Sequence, residues 1–220
     1  MIKINKPIIL DDIRVINDNF IKLIENAKLE DEDIENICVD GIYLSDEDLS
    51  TVSFCKVKFK NCEFINCVFE KSSFSNIVFE KCDFSNSNFD SSYFNCCEII
   101  SSKWLGANFI NSSIKHLSVD ESNFNFAIFD KTKMRYVRLS NTSINNSNIS
   151  ESILKDMDFD EVEFINANFF KTALKDIDFT KSKIDGILIS NNFSELKGAI
   201  VNPFQAAELA KLLGVKILIN

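Results

Sequence analysis

The apolar residues of this chain recur neither every 3.6 positions nor every two. Stepping by five from Leu44 to Ile189 meets thirty consecutive positions, and none of them is polar. Sixteen of the 21 phenylalanines lie on this series, among them the run Phe54, Phe59, Phe64, Phe69, Phe74, Phe79, Phe84, Phe89 and Phe94. An amphipathic helix or a half-buried strand cannot produce such a period. Two residues before each centre the side chain is usually small, as at Cys62, Cys67, Ser72, Cys82 and Ala107. The other three places are largely Asn, Asp, Glu, Lys and Ser. Two side chains in every five therefore point inward, one large and one small.

A second beat runs inside the first. Among the small positions, Val57, Ile77, Cys97, Leu117, Val137, Met157 and Ile177 recur every twenty residues, and none is Ser, Thr or Ala. Four five-residue segments therefore make one turn of a path that then repeats, the mark of a solenoid. The pattern predicts an all-β solenoid with one segment per side and four sides per coil. About seven and a half coils at the ~4.8 Å strand spacing make a rod roughly 35 Å long. With 5 Gly and 2 Pro in the chain, the corners fall to Asn, Asp and Ser.

The two ends need caps. Residues 1–38 fall outside the five-residue rule and read as a partly helical, acidic N-terminal cap, with helical spacing through Phe20, Leu23 and Ile24. The solenoid is assigned to 39–193. In 194–220, "NPFQAAELAKLLG" reads as a helix with Asn202 as N-cap, Pro203 in the first turn and Gly214 at the stop. "VKILIN" reads as a short strand.

The net charge of −9 argues against direct nucleic-acid binding by a basic surface. Residues 1–50 hold 13 acids and 5 bases, 51–190 hold 18 and 16, and 191–220 hold 2 and 3, so the acidity gathers at the N-terminal end. No apolar run spans a membrane and no export signal opens the chain, so a cytoplasmic location is expected. The seven cysteines lack the close pairs of zinc sites and read as small buried thiols. His116 is the only histidine, and no Gly-rich phosphate loop, G-x-S-x-G or HExxH occurs. The expectation is a protein that is not an enzyme and carries no metal or cofactor.

The register, with "CDFSNSNFDSSYF" as its clearest stretch, resembles the pentapeptide-repeat family. The resemblance implies a right-handed quadrilateral β-helix, here with a C-terminal helix and a partly helical N-terminal cap. A narrower resemblance lies in "LKGAIVNPFQAAELAKLLGVKI" and in "CEIISSKWLGANF", which are similar to the Qnr-type quinolone-resistance proteins. Many of those proteins interrupt the repeats with two loops, whereas this register runs from 44 to 189 without a break.

That likeness implies a cytoplasmic homodimer joined at the C-terminal ends, with Phe204, Leu209, Leu212, Leu213, Ile217 and Ile219 as the candidate interface. It also implies a B-DNA-like rod that binds a type II topoisomerase, gyrase or topoisomerase IV, and protects it from fluoroquinolones. One side of the predicted rod gathers Glu80, Glu98, Asp120, Glu121, Asp158, Asp160, Glu161 and Asp178, the candidate face for a basic partner. The next side carries Lys56, Lys115, Lys133, Arg135, Lys155 and Lys175 against Asp156 and Asp176. A structural or interaction solenoid with another protein partner is the alternative.

Overall fold

The structure, a computed structural model, describes residues 2–10 and 13–218. Short strands of two to four residues open the chain: β1 (Arg14–Ile16), β2 (Ile34–Glu35), β3 (Ile37–Asp40), β4 (Tyr43–Ser45), β5 (Ser53–Cys55), β6 (Lys58–Lys60) and β7 (Glu63–Ile65). Five eight-residue strands follow: β8 (Ser73–Glu80), β9 (Tyr93–Ile100), β10 (Ser113–Asp120), β11 (Lys133–Ser140) and β12 (Ile153–Asp160). Helix α1 (Phe20–Glu30) lies between β1 and β2, and α2 (Pro203–Leu212) comes last.

The strands pair in parallel. From β8 onward the step is twenty residues: Phe74 pairs with Phe94, Phe94 with Ile114, Ile114 with Met134 and Met134 with Leu154. Each long strand covers two sides of a coil. The other two sides are held by isolated bridges at the same step, such as Asp83↔Lys103 and Asn88↔Asn108. The twenty-residue beat is therefore the ladder itself.

The centre residues fill the tube as stacks. Phe69 and Phe89 are parallel at 4.9 Å, Phe109 and Phe129 stack at 4.9 Å, and Trp104 stacks on Phe84 at 4.3 Å. Burying each phenylalanine contributes roughly 1.5–3 kcal/mol. Towards the C-terminal half the centres become Ile114, Val119, Met134, Leu139, Ile144 and Ile149. These smaller side chains leave an apolar internal cavity of about 40 Å³.

The small inward residues do more than fit. Ser112 Oγ accepts the N–H of Ser92 and donates to the Phe89 carbonyl; Ser92 does the same between Ser72 and Phe69. Each hydroxyl thus ties its own coil to the one before it.

The corners lie in the left-handed region at every fifth residue from Asp31 to Asp176. Asn is frequent there, as expected, but Lys56, Lys71, Lys131, Phe126, His116 and Tyr136 also take this conformation. For a residue other than glycine it costs about 1–2 kcal/mol. The ladder imposes it: corner N–H groups donate to carbonyls of the next coil, as Lys56 does to Ser75 at 2.9 Å.

At the N-terminal end α1 closes the tube, with Phe20, Ile24 and Ala27 buried. Phe20 sits over Phe54, Phe59 and Phe64 at 6.5, 6.3 and 5.7 Å between ring centres. The coil starts earlier than the sequence suggested, since Ile34 pairs with Phe54 and Val39 with Phe59. Residues 194–200 also continue it, Asp178 bridging to Ile200. Helix α2 has the expected N-cap, a reciprocal box between Asn202 and Gln205, and Gln205 Nε2 ties it to the Phe179 and Ser182 carbonyls. The strand expected over 215–220 does not form within the described residues 215–218, which find no ladder partner; Ile219 and Asn220 lie outside the described residues.

Candidate interaction face

Of the eight carboxylates of the predicted acidic side, Glu80, Glu98, Asp120, Asp158 and Asp160 lie on the half of the long strands that includes Phe79, Ile99, Val119, Leu139 and Phe159; Glu121 and Glu161 are at the corners that follow, and Asp178 is in the coil after β12. Their surroundings differ. Glu80 is bonded to Lys58 at 2.6 Å, Asp158 to Arg138 at 2.9 Å and Asp160 to Lys181 at 2.9 Å. The Lys58 contact holds the Glu80 carboxyl below its usual range. Glu98 meets Lys6 at 4.0 Å. Asp120 accepts from Asn141 and Glu121 from Ser101. Asp178 accepts the N–H of Thr180, and hydrogen bonds from Thr180 lower its pKa. Among the described residues Glu161 has no salt-bridge partner, so the face is acidic but partly neutralised by its own chain.

A second feature crosses this face and was invisible in the periodicity. Residues 2–10 form a strap that runs along the rod axis, across the strands. Arg138 Nη2 donates to the Ile2 carbonyl at 3.1 Å, and the Ile8 N–H donates to Asn76 Oδ1 at 3.2 Å. Between them the Asn5 N–H donates to His116 Nδ1 at 3.4 Å. His116 stacks flat on Tyr136 at 4.7 Å, and Arg135 sits 4.6 Å from the Tyr136 ring centre. Partial burial, together with Lys115 and Arg135, pushes the His116 pKa below its ordinary value. The one histidine thus serves as an anchor for the strap.

The seven cysteines are free. Cys62, Cys67, Cys82 and Cys97 point inward and are buried, and burial pushes the Cys97 thiol up to about 12. Among the described residues no cluster of His, Cys, Asp and Glu is placed to hold a metal ion. Among them, too, no helix is long and apolar enough to cross a membrane.

Below β12 the rod opens. β12 is the last strand of the large sheet. Two sides of the next coil, residues 173–180, face it with no ladder, whereas the other two sides stay bridged at Glu163↔Lys183 and Asn168↔Leu188. The result is a wedge-shaped cleft of about 280 Å³, with Met157 and Phe159 at its floor and Arg138, Asp158, Asp160, Asp178 and Lys181 at its rim. In the sequence, three pairs twenty residues apart across this gap carry like charge: Lys155 and Lys175, Asp156 and Asp176, Asp158 and Asp178. Like charges directly opposite one another destabilise a sheet pair. In the intact ladder Arg138 faces Asp158, but Lys115 also faces Arg135 and Arg135 faces Lys155, so like charge alone does not account for the opening.

Residues 62–97 match the family model described as pentapeptide repeats, in eight copies. This chain carries pentapeptide repeats. Solved structures similar to the pentapeptide-repeat rod include QnrB1, a plasmid-mediated fluoroquinolone resistance protein. One trypsin-treated form of it is 18% identical over 83% of this chain and 92% of that one, with a TM-score of 0.47. Full-length QnrB1 is 17% identical over 92% and 95%, with a TM-score of 0.40. HetL, a pentapeptide-repeat protein involved in heterocyst differentiation regulation from Nostoc sp. strain PCC 7120, is 12% identical over 84% and 92%, with a TM-score of 0.39. No curated protein matches the sequence.

At the C-terminal end the predicted self-association residues are largely exposed. Phe204 is 85% and Leu213 62% exposed, with Leu212 and Ile217 also at the surface, whereas Leu209 packs against the core.

Proposed function

We propose that this protein is a non-enzymatic binding rod whose acidic side docks on the basic, DNA-binding surface of a type II topoisomerase, gyrase or topoisomerase IV. The observation that carries the reading is the side bearing Asp120 at the end of β10 and the corner carboxylates Glu121 and Glu161, none of which is ion-paired among the described residues. Rigid charge of one sign steers an oppositely charged partner. The C-terminal segment's similarity to the Qnr type supplies the partner's identity, and the exposed Phe204, Leu212, Leu213 and Ile217 support a homodimer through that end.

The test is purified gyrase in a supercoiling assay with ciprofloxacin. Added protein is expected to restore supercoiling, or to inhibit it without drug; neither effect over a wide concentration range sinks the reading. A second reading, an interaction solenoid for a different protein, is favoured by the pairing of Glu80, Asp158 and Asp160 with this chain's own bases. Under it, reversing Asp120, Glu121 and Glu161 to lysine leaves gyrase unaffected.

A further inference from the structure

The strap meets the rod through its main chain, at every third residue. Arg138 donates to the Ile2 carbonyl, and the N–H groups of Asn5 and Ile8 donate to His116 and Asn76. Asn76, Cys96, His116 and Tyr136 are successive corners along one edge of the rod. His116 and Asn76 are two coils apart, about 10 Å at the ~4.8 Å strand spacing. Three residues reach at most about 10–11 Å, so the strap is close to fully extended between Asn5 and Ile8. Ile2, Ile4, Pro7 and Ile9 are half-buried, while Lys3, Asn5, Lys6, Ile8 and Leu10 stay exposed. Residues 2–10 contain Lys3 and Lys6 and no acid, and Lys6 reaches Glu98 at 4.0 Å. The acidic side therefore already holds an extended cationic segment. It grips that segment by a carbonyl, two N–H groups and a positive charge, which many sequences can offer.

We propose that the edge from Asn76 to Arg138 is a docking track for an extended cationic segment of a partner protein, and that the strap occupies it in cis until such a segment displaces it. Main-chain hydrogen bonds supply the hold, as in other extended-peptide sites, and Glu98 selects the sign of the charge. A tethered occupant acts at a high effective concentration, so the partner's apparent affinity falls with the fraction of track left open. This deepens the binding-rod reading and rests on it for the charge of the partner, not for the partner's identity.

The experiment titrates the full chain with a fluorescein-labelled peptide of residues 2–10 and follows its anisotropy. Asn5→Pro combined with Ile8→Pro removes both donating N–H groups of the tethered strap and leaves every residue of the track in place. This variant is expected to bind the peptide at least tenfold more tightly than wild type, with unchanged circular dichroism. Adding Glu98→Lys to it is expected to weaken the peptide severalfold, and a peptide carrying Lys6→Glu to recover that loss. In wild type, excess unlabelled peptide is expected to shift the Asn5 amide NMR signal of the tethered strap towards its free position. Equal affinity of the two chains, no response to the charge swap, or an unmoved Asn5 signal overturns the track. Peptide capture with no effect on gyrase supports the track and overturns only the topoisomerase; a gyrase effect without peptide capture does the reverse.

Discussion

Ser112 Oγ lies 2.7 Å from the carbonyl oxygen of Phe89, 23 residues earlier, and accepts the N–H of Ser92 at 3.2 Å. One hydroxyl therefore satisfies two buried backbone groups of the preceding coil. Ser112→Ala removes both of these bonds, leaving the Ser92 N–H only its 3.1 Å bond to the Phe89 carbonyl, and is expected to cost about 0.5–1.5 kcal/mol. The neighbouring outward Ser113→Ala is expected to stay within about 0.5 kcal/mol. Chemical denaturation of the two variants compares them directly.

The corners give predictions of opposite sign at different sites. Lys131 has φ 56°. Lys131→Gly removes a strain of about 1–2 kcal/mol, offset in part by the greater freedom of glycine in the unfolded chain. A net gain in melting temperature is expected. Gly106→Ala should lower it, because φ is +66° and a Cβ there would come within 2.6 Å of Asn86 Oδ1.

The cavity predicts a stabilising enlargement. Ile144 lines it and sits in the column between Phe124 and Phe164. Ile144→Phe extends that column into the void of about 40 Å³. At ~24 cal/mol per Å³ the gain is about 1 kcal/mol. A lower denaturation midpoint would show that the coil cannot accept the ring.

The strap predicts a pH dependence. Because the folded His116 pKa is depressed, its contribution is fully present above the ordinary histidine value and fades as pH falls through the lower folded one. Protonation removes the acceptor for the Asn5 N–H and adds charge beside Lys115 and Arg135. Following the Asn5 amide by NMR as the solution is taken from neutral to mildly acidic should show the strap detaching in acid. His116→Ala should detach it at all pH values, while leaving the coil intact.

What could be read without coordinates was what repeats. The centre residues from Leu44 to Ile189 each have one chemical duty, so a simple period exposes them. Helix α2 was legible for a similar reason, since Asn202, Pro203 and Gly214 act within one turn of the helix ends. The strap was not legible: its partners Asn76, Glu98, His116 and Arg138 are ordinary outward residues, and contacts across the repeat leave no periodic trace. The first coil was hidden because the helix insertion separates Ile16 from Ile34 and breaks the count. The cleft left no such trace either, since like charges twenty residues apart also face each other in the intact ladder at Lys115, Arg135 and Lys155. The strand expected at the C-terminus has suitable composition, but residues 215–218 pair with no strand among the described residues.

Because each coil is copied onto the last through a twenty-residue step, the rod's length is quantised. Removing twenty consecutive residues from its middle deletes one layer and returns every later side chain to its former side. Removing five turns everything beyond the cut by a quarter revolution, bringing the lysine-bearing side into line with the acidic one. Evolution or design can therefore lengthen this molecule freely, but only in whole layers can it do so without rewriting what its surface presents.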